Sequence, residues 1–352
     1  MSVNPLAADL DHILAHSQGI WPSLRNARLF ITGGTGFFGR WLLESLTWAD
    51  DQLQLGLQAT VLSRDPAAFA AKAPHLAAHK ALHWHFGDVR NFRFPTPPSG
   101  GFTHIIHAAT ESAGDLARRD PQGLLESIVF GTSRTLDFAH ESGARDILYI
   151  SSGAVYGRQP PDLQRVSEDF TGTPHTLDAF GAYGEGKRTA EHACHLYARD
   201  FGLRIRIARG FAFVGPHLPL NAHFAVGNFI RDALAGGPIR VQGDGTPYRS
   251  YLYAADLALW LWTILVNGKS GETYNVGSDQ DITIADLARL VAATVAPCAA
   301  VQILTPTVPG TPASRYVPCI DRARHDLGLA PLIPLPEAIA RTAQWHRASI
   351  SR

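Results

Sequence analysis

The 352-residue chain is 45% hydrophobic and 18% charged, and its 31 Lys and Arg balance 31 Asp and Glu. This is the composition of a soluble globular protein with one large or two modest domains, and it argues against a dominant basic surface for nucleic acid or a membrane. Three widely spaced cysteines, Cys194, Cys298 and Cys319, point to a reducing compartment, the cytoplasm, rather than to a disulfide framework.

Residues 1–26 lack a basic n-region and a continuous apolar core, so no signal peptide is expected. Leu6, Leu10, Ile13 and Leu14 place an amphipathic lead-in helix there. "RLFIT" (28–32) is an apolar run that ends in glycines, and "FGRWLLESLTW" follows at helical spacing. "QATVL" (58–62), "LHWHF" (82–86), "HIIHA" (104–108) and "DILYI" (146–150) read as further strands, with a proline-rich loop over 87–101. Between the last two strands a helix begins at Pro121 and is closed by Gly143. The alternation predicts an α/β fold: a doubly wound parallel sheet of Rossmann type over residues 27–210.

Beyond residue 200 the pattern loosens. A strand at 203–209 precedes a loop at 210–223, a helix around 224–235, short strands near 239–243 and 272–276, and helices at 283–295 and 337–347. Residues 211–352 are therefore expected to form mainly a smaller substrate lobe, with some segments returning to the Rossmann domain. The apolar run 251–266 is interrupted by Asp256 and is short for a membrane span, so it reads as a buried helix carrying Trp260 and Trp262.

"FITGGTGFFGR" follows the first strand and opens a helix, with Gly33, Gly36 and Gly39 at GxxGxxG spacing around Thr35, Phe37 and Phe38. The glycines serve a tight turn, close approach of backbone to a pyrophosphate, and close packing of helix on sheet, so a nicotinamide dinucleotide is the expected cofactor. At the end of the second strand, Ser63 and Arg64 stand where an NAD enzyme usually places an acid. Arg64 pairing with a 2′-phosphate favours NADP; NAD is the alternative, with Asp65 on the ribose.

"TGGTGFFG", "GDVRN" (87–91), "IIHAAT" (105–110), "SSGAVYG" (151–157) and "YGEGK" (183–187) occur in that order. In this the chain resembles the extended short-chain dehydrogenases/reductases, and within them the NAD-dependent epimerase/dehydratase group that modifies nucleotide sugars. The resemblance implies that Asp88 and Val89 hold the adenine, and that Ala108, Ala109 and Thr110 line the diphosphate and ribose. It also implies that Ser152 binds the reacting oxygen, that Lys187 reaches the nicotinamide ribose, and that Arg249 meets the diphosphate of the sugar nucleotide. A homodimer is implied too, through a four-helix interface of helices around 121–142 and 183–201.

The tyrosine chemistry can be argued without the family. A phenol of pKa ~10 is a poor base at neutral pH. Lys187, one helical turn after Tyr183, lies on the same face, and its charge favours phenolate. Tyr183 can then exchange a proton with a sugar oxygen as hydride moves at carbon. Ser151 reads as structural.

Three departures from the family pattern shape the expected reaction. Dehydratases of this family carry an Asp–Glu pair after the hydroxyl residue, where this chain has Gly153 and Ala154. Glu111 matches one dehydratase glutamate, yet a single carboxylate does not replace two, so 4,6-dehydration is disfavoured. Ala212 and Ile128 stand where the family often has asparagine, leaving Asn221, His223 and Asn228 as polar candidates for substrate contact or as plain surface polarity.

The expected function is reduction of a keto group on a nucleotide sugar, at C4, with epimerisation through tightly bound NAD as the alternative. Decarboxylation stands behind these, and a cofactor-sensing protein is the non-enzymatic alternative. His192, Cys194 and His195 do not form a metal-ligand pattern, since Cys194 points away from the two histidines, and His83 and His85 have no partner motif. No metal site is expected.

Overall fold

The apolar runs of the first half pair into one sheet in a computed structural model of the chain, which describes residues 4–110, 119–177, 181–222 and 224–350. Its strands are β1 (Arg28–Thr32), β2 (Gln58–Ser63), β3 (Leu82–Phe86), β4 (His104–His107), β5 (Asp146–Ser152), β6 (Arg204–Gly210) and β7 (Thr273–Val276). They lie in the order β7-β6-β5-β4-β1-β2-β3, and the pairings β1–β2, β2–β3, β1–β4 and β4–β5 are parallel. Strand order reverses between β1 and β4. In open α/β sheets that reversal leaves a crevice beyond the carboxyl ends of the strands, where ligands bind.

The helix Pro121–Ser142 shows how local chemistry sets an element. Pro121 opens it, the Asp120 carboxylate caps it by accepting from the Gly123 N–H at 2.8 Å, and Gly143 ends it in the left-handed region at φ 75°. Its inner stripe, with Leu124, Ile128, Leu136 and Phe138, packs into a cluster with Phe30 of β1. The proline-rich stretch 87–101 is irregular, as expected, but it is no mere surface loop. Phe92 is buried within it and stacks 5.4 Å from Phe30, and the Arg134 guanidinium donates twice to the Phe92 carbonyl. Full burial of such a ring is worth about 1.5–3 kcal/mol, so the loop is anchored by its own core residue.

The chain divides into two compact units. The first comprises Met1–Val155, Pro174–Arg209 and Ala258–Tyr274, and the second Tyr156–Thr173, Gly210–Leu257 and Asn275–Arg352. In the first, the lead-in helix Ala7–His16 buries Leu10 and Ile13 and leaves Leu14 half-exposed. Trp260 and Trp262 are fully buried, and the Trp262 indole donates to Ser45 Oγ at 2.8 Å.

In the second unit, Tyr248–Ser250 is the central strand between Asp281–Thr283 and Arg315–Tyr316. The loop expected at 210–223 contains a two-residue strand, Phe213–Val214, paired with Leu252–Tyr253. Gly215 follows, and then Pro216, which has no N–H to extend that ladder. Asp256, which interrupts the apolar run, is fully buried and accepts from the Leu332 and Ile333 N–H groups at 2.9 Å each. Among the described residues no helix is long and apolar enough to cross a membrane.

Candidate cofactor and catalytic site

The glycine loop lies at the switch point. Gly33 adopts φ +72°, and a Cβ there would stand 2.5 Å from the backbone carbonyl of Ala108 just beyond β4. A Cβ on Gly39 would stand 2.2 Å from the Gly33 carbonyl oxygen. These two glycines are demanded by the fold itself. Gly36 is different: its backbone is extended, at φ −81° and ψ −176°, and a Cβ would make only an ordinary 3.5 Å contact. The chain therefore has no internal need of glycine at 36.

Gly36 is also the N-cap of the helix Phe37–Leu53, and no side chain caps that terminus. A helix N-terminus that no side chain caps, reached over a glycine turn, is what a diphosphate requires, so these residues fit a dinucleotide. Thr35 is exposed there, and Phe37 and Phe38 are half-buried with ring centroids 5.8 Å apart.

Beyond β2, Ser63 is buried and its hydroxyl accepts from the Asp65 N–H at 3.2 Å. The Asp65 carboxylate caps the next helix by accepting from the Ala68 N–H at 2.9 Å, while Arg64 is exposed. After β3, Asp88 accepts from Arg90 through both carboxylate oxygens, at 2.8 and 3.1 Å, and those hydrogen bonds hold its pKa below the usual carboxylate range. Val89 packs against the Pro121–Ser142 helix where Gly131 leaves room.

Tyr183 and Lys187 project from the helix Gly181–Phe201. Lys187 is 3% exposed, and its ammonium donates to Thr110 Oγ1 at 2.8 Å and to the Ile150 carbonyl at 2.7 Å. It also lies 4.9 Å from the centre of the Tyr149 ring. Burial pushes its pKa down to about 7, against an upward pull from Glu191. Burial pushes the Tyr183 phenol up, while a hydrogen bond with Ser152 opposes the shift. Ser152 ends β5, where its hydroxyl accepts from the Ala154 N–H at 3.1 Å. The structure thus gathers Tyr183, Lys187, Ser152 and Thr110. Gly153 and Ala154 open a short 3-10 turn and contribute no titratable group.

Two largely enclosed groups here were not read from the sequence. Glu191, four residues after Lys187, accepts from Ser151 Oγ at 2.5 Å and pairs bidentately with Arg209 at 2.9 and 2.6 Å. His107, at the end of β4, hydrogen-bonds Thr32 Oγ1 at 2.7 Å and Thr132 Oγ1 at 3.0 Å. Burial first, and the Lys187 charge second, push its pKa down to about 3. Both groups draw partners from distant parts of the chain. The one local hint for Glu191 was the i, i+4 spacing that had already linked Tyr183 to Lys187.

Glu111 and His223 lie outside the described residues. Ile128 is buried and packs where Gly186 has no side chain, so helix packing occupies that position. In the second unit, Asn221 is exposed and Asn228 accepts from Arg231 at 3.0 Å. Arg249 is largely buried, which lowers its pKa; its Nη1 donates to the Tyr248 carbonyl, and it pairs with no carboxylate among the described residues. Cys194 is buried, while His192 and His195 are exposed on the same helix. No cluster able to hold a metal ion occurs among the described residues.

A glycine loop at the switch point of a parallel sheet, with Tyr183, Lys187 and Ser152 beside it, defines an extended short-chain dehydrogenase/reductase. Residues 29–277 match the NAD dependent epimerase/dehydratase family, and the chain belongs to it. It is 30% identical over 318 residues to UDP-glucuronic acid decarboxylase 1 of Danio rerio, covering 90% of this chain and 72% of that protein. UDP-glucuronic acid decarboxylase 6 of Arabidopsis thaliana is also 30% identical, with 89% and 87% covered.

Among solved structures, a dTDP-glucose 4,6-dehydratase from Streptomyces venezuelae with NAD bound superposes with a TM-score of 0.75 at 24% identity, covering 92% of this chain and 98% of that one. A UDP-glucuronic acid 4-epimerase from Bacillus cereus, in complex with UDP-glucuronic acid and NAD, gives 0.75 at 21%, covering 92% and 99%. At these identities the structures speak for the fold.

Proposed function

We propose that the protein reduces a keto group of a nucleotide sugar, at C4, with Tyr183 delivering the proton. The observation that carries this reading is the Tyr183–Ser152–Lys187 set beside Gly153 and Ala154, which lack the acid–base pair that elimination of water needs. When bound, the nicotinamide supplies the hydride.

Burial keeps Tyr183 a neutral phenol, the form that can donate. Ser152, whose oxygen is oriented by the Ala154 N–H, fixes the sugar oxygen against that phenol. Lys187 has three N–H donors and spends two on Thr110 and Ile150; the third serves the nicotinamide ribose, and its charge stabilises the phenolate left behind. Gly33, Thr35, Gly36, Phe37, Phe38 and Gly39 would hold the diphosphate with Ala108 and Ala109, and Asp88 and Val89 the adenine. Arg249, a largely buried cation, would take the substrate diphosphate, with Glu111, Asn221 and Asn228 as further substrate contacts.

NADP is the proposed cofactor because Asp65 is committed to capping its helix while Arg64 is exposed beside it. A homodimer through the helices Pro121–Ser142 and Gly181–Phe201 would cover Leu125, Phe130 and Phe201, which stand 37%, 57% and 47% exposed.

The decarboxylase relatives favour a second reading, in which the sugar leaves decarboxylated, and epimerisation through retained NAD is the other alternative. The retained Tyr183–Lys187 pair speaks against a purely cofactor-sensing protein. The test is to denature freshly purified protein and identify by mass any nicotinamide released. Near-stoichiometric NAD sinks the reductase reading. An empty protein that prefers NADPH and oxidises it with a 4-keto nucleotide sugar supports it.

A further inference from the structure

Tyr183, Lys187 and Glu191 lie at successive i, i+4 positions on the helix Gly181–Phe201. A carboxylate one turn from a buried ammonium would ordinarily reach over and pair with it. Here it does not. Both Glu191 oxygens are taken, one by Ser151 Oγ and Arg209 Nε, the other by Arg209 Nη2. The pair is nearly enclosed, with side-chain exposures of 15% for Arg209 and 11% for Glu191. A bidentate pair with little access to water holds its geometry far better than a surface ion pair.

We propose that Glu191, clamped by Arg209, is a positioning residue: it keeps Lys187 cationic at a distance, and the clamp keeps the third N–H of Lys187 free for the cofactor. Through Ser151 the same carboxylate steadies the end of β5 that carries Ser152. The inference rests on the reading that Lys187 serves a nicotinamide dinucleotide.

Glu191 is the charge that matters because its neighbours around Lys187 are neutral near pH 7. On the same helix, burial raises the pKa values of Tyr183 and Cys194. From β5, Tyr149 is raised by burial and the Ile150 carbonyl is uncharged. From β4, His107 is pushed down to about 3, and the hydroxyl of Thr110 follows that strand. Against the burial that depresses Lys187, Glu191 is the largest opposing influence. An unclamped Glu191 would give Lys187 a stronger partner but would occupy the donor the ligand needs.

The two halves of the clamp should therefore fail in opposite directions. The experiment is a fluorescence titration of the full-length protein with NADPH, and separately with NADH, from about pH 6 to 9. The midpoint at which affinity falls with rising pH reports loss of the Lys187 proton. Glu191→Gln removes the counter-charge, so the midpoint should fall by about one pH unit. Arg209→Met releases Glu191 onto Lys187, so the midpoint should rise while affinity at neutral pH weakens. The double variant buries no net charge; it keeps the comparison available if either single variant fails to fold, and its midpoint should lie between the two.

Midpoints that stay at the wild-type value, or move the same way in both single variants, overturn the inference. A double variant that matches Glu191→Gln also overturns it. Failure of the wild type to bind either dinucleotide sinks the functional reading itself, and this inference with it.

Discussion

Around Gly33, Gly36 and Gly39 the chain offers backbone and empty space, whereas around Lys187 it offers a ring of buried side chains tied by hydrogen bonds. A site made of absent atoms fails by steric collision, which is abrupt and indifferent to pH. A site made of buried polar groups fails electrostatically, and its failure depends on which proton is where. The two regions flank the same crevice of the sheet, yet they should respond to different experiments.

The largest effect belongs to the side-chain region. Tyr183→Phe removes the proton donor while keeping the ring that packs against the core. Turnover should fall by about 10²–10⁴-fold, the range of a positioned acid–base group, with NADPH affinity unchanged in a fluorescence titration. Turnover at the wild-type rate would remove Tyr183 from the chemistry.

Next come the glycines, which split the loop into two kinds of position. Gly33→Ala forces an L side chain into the left-handed region and against the Ala108 backbone, so it should cost more than the roughly 1–2 kcal/mol of the backbone strain alone. A melting temperature several degrees lower is expected. Gly36→Ala meets no such obstacle and should melt with the wild type, but its methyl group projects into the cradle, and dinucleotide affinity should drop about tenfold or more, ~1.4 kcal/mol. Equal melting losses for both variants would mean that Gly36, too, serves only the fold.

A smaller and slower effect separates the regions by pH. His107 is held neutral to about pH 3, whereas the unfolded chain takes up that proton near pH ~6.5. Below that value the unfolded state binds more protons, so stability declines as pH falls through the window from about 6.5 to 3. Asp146 adds to the loss at the acid end. Burial raises its carboxyl, but hydrogen bonds from Arg204 and Arg206 outweigh this and hold it at about 2, so its contribution disappears as pH falls from about 4 through 2. Urea midpoints from pH 7 to 4 should show His107→Asn losing about one proton of slope, while Gly36→Ala keeps the wild-type slope. Identical slopes in His107→Asn and wild type would mean that His107 charges without unfolding the chain.

What could be read from the sequence follows the same division. The glycine loop, the Tyr183–Lys187 turn and the strands of the sheet are local patterns, legible because a turn or a helix face is set by residues a few positions apart. The clamp on Lys187 joins Ser151, Glu191 and Arg209, and the His107 network joins Thr32 and Thr132 across similar gaps. Such contacts depend on which strands and helices become neighbours, and hydrophobic period does not reveal that. Ser151 read as structural and is found bonded to Glu191. Asn228 read as a polar candidate for substrate, and its side chain is engaged by Arg231. The strand at 272–276 is short and of mixed polarity, and its place at the edge of the large sheet depends on β6 beside it.

Arg64 sits between the two regions in kind, a side chain set at the rim of the backbone cradle. One Asp65 oxygen already accepts from the Ala68 N–H, so the acid that would otherwise hold a ribose hydroxyl is partly engaged, and Arg64 stands exposed beside it at the end of β2. A guanidinium facing a 2′-phosphate in partial contact with water contributes modestly, since solvent screens it. Arg64→Ala should therefore cost NADPH about tenfold in affinity, ~1.4 kcal/mol, and leave NADH nearly untouched, with the difference shrinking as salt is raised. Equal losses for the two dinucleotides would assign Arg64 to the adenine face rather than to the phosphate. The cofactor choice would then turn on Asp65, whose replacement by Asn should weaken NADH selectively if its second carboxylate oxygen meets the ribose.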